Sequence, residues 1–200
     1  MAGRHLFITM SLISIVTALP SPIKLVSDYS FPFVSREEWG ARPPTMTSPL
    51  KVSPVPIVVI HHSYIPKICL VRADCERDLR NMQRVHQVTN GWEDIGYSFA
   101  VGGEGTVFEG RGWSSIGAHA FGVNTRSIGI LLIGDFISNQ PPQAQLQSVK
   151  DLIEAGVRLG HIRSDYKLIG HRQVTPTECP GQRLFDEISK WDHFSLNWDD

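Results

Sequence analysis

The stretch "VPIVVIHHS", residues 55–63, decides the fold. Val55 to Ile60 form a continuous apolar run, and a run of that length reads as a strand buried on both faces. It ends on His61-His62, where ligands of open α/β sheets bind, just past the ends of the central strands. Working outward, "SIGILLIGDF" (127–136) is a second buried strand, and "YKLIGH" (166–171) is a short third one ending on another histidine.

Helical patterns separate these strands. In "DCERDLRNMQRVHQVTNG" (74–91), Leu79, Met82, Val85 and Val88 repeat at helical spacing, with Asp74 expected to cap the start and Gly91 to close the end. "IGYSFAVGGEGTVFEGRG" (95–112) reads as a hairpin about a Gly-rich turn. Pro141-Pro142 introduce a second helix with Leu146, Val149, Leu152, Ile153 and Leu159 inward, and "GQRLFDEISKW" (181–191) supplies a third. A short strand is expected near Phe33 and Val34. The expectation is an α/β fold: one domain with a central mixed, mostly parallel sheet, about three flanking helices and a surface groove holding a metal site.

The amino terminus carries Arg4 and His5, then an apolar run from Leu6 to about Ala18, then Pro20 and Pro22. That is the order of a secretion signal, and the run is shorter than the ~20 residues a membrane span needs. Residues 1–18 are therefore expected to be a cleaved signal and 19–200 a single domain, secreted and extracellular. The chain has 19 Lys+Arg against 20 Asp+Glu; removing Arg4 with the signal leaves 18 against 20, a net charge of −2. That balance gives no pull toward nucleic acid or anionic membrane.

Three cysteines are an odd number for an exported protein. Cys69 and Cys75, in "CLVRADC", are the expected disulfide, since a turn brings their α-carbons within bridging range. Cys179 is left over. Two strand-end histidines, His61 and His171, and Cys179 offer the imidazole and thiolate donors zinc favours, and a catalytic zinc site typically has three protein ligands and one open position. A bound metal would also shield the thiolate from disulfide exchange. Spacing alone leaves other readings open, because a single buried Cys also serves as a small hydrophobe and a strand-end His as a hydrogen-bonded surface residue. His62 faces away from His61 if the strand continues. His5, His86, His161 and His193 receive no role.

Taken together, "SREEWGARPP" (35–44), "VVIHHS" (58–63), "GWEDIGYSFAVGGEGTVFEGRGW" (91–113), "GAHA" (117–120), "SIGILLIGDF" and "YKLIGHRQVTPTECPGQRL" (166–184) resemble a peptidoglycan recognition protein domain, a family related to bacteriophage-type N-acetylmuramoyl-L-alanine amidases. The resemblance runs from about Val34 to Phe194. It implies zinc (Zn2+) held by His61, His171 and Cys179, catalysis by Tyr97 with Thr177 helping to hold the reacting carbonyl, and hydrolysis of the lactyl–L-alanine amide of peptidoglycan in innate immunity. Relatives that bind without cutting typically lack the zinc cysteine, and this chain keeps it.

The resemblance also implies a substrate preference. Gly91 and Trp92 ahead of Tyr97, with Arg111 after the hairpin, accompany meso-diaminopimelate peptides, whose extra carboxylate Arg111 could hold bidentately. His119 is expected to line the groove. The implied partners are bacterial peptidoglycan and muropeptides, with no nucleic acid, no membrane span and a monomeric state. Three readings remain at this point: a zinc amidase, a receptor that binds muropeptide and signals without turnover, and a structural zinc site, which lacks a visible fourth ligand.

Overall fold

The computed structural model describes residues 29–199; the expected signal, residues 1–18, lies outside the described residues. In chain order the elements are β1 (Phe33–Val34), β2 (Val55–His62), α1 (Arg72–Arg84) continued by a π-helical turn (Val85–Thr89), β3 (Phe99–Val101), β4 (Val107–Glu109), β5 (Ser127–Leu132), α2 (Gln143–Arg158), β6 (Ile162–Gly170) and α3 (Gln182–Ile188). They form one six-stranded sheet in the order β1-β4-β3-β5-β2-β6. Only the β3–β4 hairpin pairs antiparallel; the other neighbours are parallel. The expected mixed, mostly parallel sheet with three α-helices is what the chain forms.

Strand β2 lies between β5 and β6, which explains its unbroken apolar sequence: both faces are covered. On one face Val58 and Ile60 join Ile128, Ile130 and Leu132 beneath Val149, Leu152 and Ile153 of α2 and Leu184 and Ile188 of α3. On the other, Ile57 and Val59 pack with Ala120, Val123 and Ile169. Alternation then puts His61 on this second face and His62 on the α2 face, where its Nδ1 accepts from the Phe136 N–H at 3.3 Å. Each buried leucine or isoleucine here would cost about 2–5 kcal/mol on truncation to alanine.

Two polar side chains fix α2 over the sheet. The buried Gln145 amide donates to the carbonyls of Val101 and Ile133, at the ends of neighbouring chain segments, and Ser148 donates to Gly105. Gln145 and Ser148 thereby pair the Ile133 and Gly105 carbonyls, while the Val101 carbonyl also accepts the Ile133 N–H at 3.0 Å.

Helix α1 differs in detail from expectation. Its N-cap is Val71, and Asp74 sits inside the first turn, paired with Arg77. Val85 and Val88 are exposed, because steps of three residues fall short of the 3.6-residue turn and carry them progressively off the face that Cys75 and Leu79 bury. Gly91, at φ +70°, does end this segment. Cys69 and Cys75 form the expected disulfide, with a Cα–Cα distance of 5.3 Å, tying the loop after β2 to the first turn of α1. Among the described residues no helix is long and apolar enough to cross a membrane.

Candidate metal centre and groove

The carboxyl ends of β2 and β6 are neighbours in the sheet, with Ile60 in register with Gly170. This pairing brings His61, on β2, beside His171, the first residue past β6; their ring centroids are 4.5 Å apart. The chain then loops over the strand ends and returns Cys179 to the same point. The Cys179 Sγ lies 3.8 Å from His61 Nδ1 and accepts the backbone N–H of His62 at 3.4 Å. One ligand atom from each of His61, His171 and Cys179 falls within 4.8 Å of the others.

The returning loop is held by Arg172, which donates to the Glu178 carbonyl and to Gln182 Oε1, both at 2.7 Å. It closes at Gly181, where φ is +89° and a β-carbon would come within 2.4 Å of the Phe136 backbone. At the other end, Gln173 bridges the Gly170 N–H to the Ser195 carbonyl.

The donor set suits zinc. Burial holds the His61 and His171 imidazoles below their usual pKa, so both are neutral as ligation requires. Burial pushes the Cys179 thiol up to about 12 without a metal, so metal uptake must displace its proton. The three donors are two nitrogens and one sulfur, and no fourth protein ligand joins the cluster among the described residues.

Beside this cluster lies a cavity of about 380 Å³ lined by His62, Ser63, Tyr64, Tyr97, Thr177 and Cys179, among others. It shares Ser63 and Tyr97 with a second cavity of about 420 Å³ that extends along α1 to Met82 and His86. The two make a continuous groove. A larger cavity, about 540 Å³, lies between α2 and residues 190–193 and contains none of the candidate ligand clusters.

Tyr97 enters the groove from the loop before β3, with its ring 5.2 Å from that of His61. Burial, and next the neighbouring Cys179, push its phenol above the usual tyrosine range, which keeps it a proton donor. Thr177 is exposed on the groove wall; its Oγ accepts the Cys179 N–H at 3.2 Å, leaving its own hydrogen free.

Trp92 packs against His86 with the rings tilted at 36° and their centroids 4.7 Å apart. Glycine at 91 is demanded by the positive φ and not by crowding, since a β-carbon there would meet open space. Arg111 is largely committed: Nε donates to Ile95 O at 2.7 Å, Nη1 to Ile116 O at 2.8 Å and Nη2 to Asp94 O at 3.4 Å. Nη2 also faces the Glu93 carboxylate at 3.9 Å, so an incoming carboxylate would share the guanidinium with Glu93.

His119 departs from expectation. It is 7% exposed and lies behind His61, not on the groove wall. His86, given no role from sequence, does line the groove, and its Nδ1 accepts the Gly96 N–H at 3.1 Å. Its position four and seven residues after Met82 and Leu79, on the continuation of the inner face of α1, was the available signal.

A mostly parallel sheet bearing a His-His-Cys cluster at its central strand ends, open to a groove with a tyrosine beside it, defines the amidase-type class of α/β domain. Residues 51–182 match the family model described as N-acetylmuramoyl-L-alanine amidase. The chain is 51% identical over 162 residues to peptidoglycan-recognition protein LB of Drosophila melanogaster, covering 81% of this chain and 69% of that one. It is 44% identical over 162 residues to the N-acetylmuramoyl-L-alanine amidase of Homo sapiens, covering 80% of this chain but 28% of the human protein. The crystal structure of peptidoglycan recognition protein LE in complex with tracheal cytotoxin, a monomeric diaminopimelic acid-type peptidoglycan, superposes with a TM-score of 0.81 at 41% identity, covering 84% of this chain and 98% of that chain. The chain belongs to the peptidoglycan recognition protein and N-acetylmuramoyl-L-alanine amidase family.

Proposed function

We propose that this protein is a secreted, zinc-dependent N-acetylmuramoyl-L-alanine amidase acting on diaminopimelate-type peptidoglycan in innate immunity. The observation that carries the reading is the convergence of His61, His171 and Cys179 donor atoms at one end of a groove that Tyr97 also lines. His61, His171 and Cys179 would hold the ion. When bound, zinc supplies Lewis acidity and lowers the pKa of water toward neutrality.

The chain's own groups account for the rest. The groove aligns the stem peptide so that the lactyl–L-alanine amide lies beside the Tyr97 hydroxyl. As the amide carbonyl becomes tetrahedral, its oxygen gains negative charge, and the protonated Tyr97 phenol donates to it. Thr177, with its hydroxyl hydrogen unengaged by the Cys179 N–H, orients the reacting carbonyl. The Arg111 guanidinium charge suits the extra carboxylate of diaminopimelate.

The test is mass spectrometry of products from defined diaminopimelate- and lysine-type muropeptides, with and without chelator. Release of the stem peptide from the diaminopimelate substrate, lost with chelator and in Cys179→Ser, is expected. Tight muropeptide binding with no product would instead make the protein a receptor.

A further inference from the structure

The ring of His119 occupies a slot that fits little else. Its backbone N–H and that of Ala120 both donate to Asn124 Oδ1, at 2.9 and 2.8 Å, which fixes the chain at this point. Flat against the ring lie two glycines. A β-carbon at Gly129, in β5, would come 2.4 Å from the ring Cγ and Cδ2, and one at Gly117 would come 2.4 Å from Cδ2. The ring meets that of His61 edge to face at 82°, and Nδ1 lies 3.0 Å from His61 Nε2.

That short contact admits one proton between the two nitrogens. If it belongs to His61 Nε2, then the neutral His61 ring has its lone pair on Nδ1, the atom that faces Cys179 Sγ. If it belongs to His119, then His61 accepts at Nε2 and carries its hydrogen on Nδ1, aimed at the ligand position. Only the first arrangement leaves His61 able to bind a metal. His119 Nε2 is buried with no partner among the described residues, so the ring keeps a polar atom unsatisfied that an apolar side chain would not have. What the imidazole gains in return is its Nδ1 contact.

We infer that His119 is a positioning residue for metal uptake: its Nδ1 accepts the Nε2–H of His61 and holds His61 in the tautomer whose Nδ1 lone pair points toward His171 and Cys179. The inference rests on the zinc reading above. Partners that orient a ligating imidazole this way typically change metal affinity by 10- to 100-fold.

Leucine and asparagine test it as a pair, since they share a branch point and nearly a shape but only asparagine places an acceptor where Nδ1 stands. Zinc affinity measured by chelator competition should fall about 10- to 100-fold in His119→Leu and stay within about threefold of wild type in His119→Asn. Equal losses in both, or no loss in leucine, would overturn the inference. Long-range 1H–15N spectra of the metal-free wild type should put the His61 proton on Nε2; a proton on Nδ1 overturns it even if His119→Leu fails to fold. Wild-type protein that takes up no zinc sinks the functional reading alone, while the spectra still decide the role of His119.

Discussion

Cys179 Sγ accepts the backbone N–H of His62 across 117 residues of chain, at 3.4 Å. That contact registers the returning loop against the end of β2, so the thiol position depends on the loop closing at Gly181. Gly181→Ala demands a strained positive φ and drives a β-carbon into the Phe136 backbone. A stability loss of about 1–3 kcal/mol is expected from the backbone conformation alone. Zinc binding should weaken along with it, as read by urea unfolding and chelator competition; an unchanged unfolding midpoint would contradict this account.

Removing one hydroxyl separates the chemistry from the metal. Tyr97→Phe keeps the ring packed near His61 and deletes the hydroxyl proposed to donate to the developing oxyanion. Turnover should fall about 10²- to 10³-fold, the size of loss seen when one oxyanion donor is removed. Zinc stoichiometry and muropeptide affinity should hold. Turnover at the wild-type rate would exclude Tyr97 from catalysis.

Arg111 braces three backbone carbonyls before it meets any ligand. Arg111→Lys keeps the charge but loses the planar fork, and lysine cannot replace a bidentate guanidinium. The proposed preference for diaminopimelate over lysine muropeptides should shrink by about tenfold, the change of one lost charge-assisted hydrogen bond, and the melting temperature should drop as well. If the preference is kept while the melting temperature falls, Arg111 serves structure only.

Acid should destabilise the metal-free protein in a defined window. Burial, reinforced by the nearby Arg111 charge, lowers the His86 pKa from 6.5 to about 4, and burial also lowers that of His161. The unfolded chain therefore takes up these protons first. Their contribution to stability is complete above about pH 6.5 and is lost as pH falls toward 4. Urea midpoints should be level above that window and decline through it, with a shallower decline in His86→Gln. A midpoint that rises on acidification would reverse the sign of this argument.

Much of this protein could be read from its sequence because strong local signals and tertiary demands agree. The uninterrupted apolar runs of β2 and β5 are possible only under cover on both faces, and histidines placed at the ends of β2 and β6 could be expected at a common edge. The odd cysteine left by the Cys69–Cys75 pair pointed to a ligand. Where reading failed, geometry beyond helical or strand periodicity was responsible. The apolar spacing of Val85 and Val88 promised a buried face, but a strict three-residue step drifts around a 3.6-residue helix and leaves both exposed. His119 and Arg111 lie in segments whose local pattern does not distinguish a groove wall from a buried brace.

The sequence by itself therefore determined the sheet, its flanking helices and the disulfide, since each depends on composition, periodicity or cysteine arithmetic, and with the family resemblance it also named the three candidate ligands. Only the tertiary structure decided that His119 stands behind His61, that Arg111 spends most of its donors on the chain and that His86 faces the groove. Those outcomes depend on which atoms meet across segments 10 to 60 residues apart. Hydrogen bonds are directional over distances near 3 Å, and one-dimensional spacing carries no record of that direction.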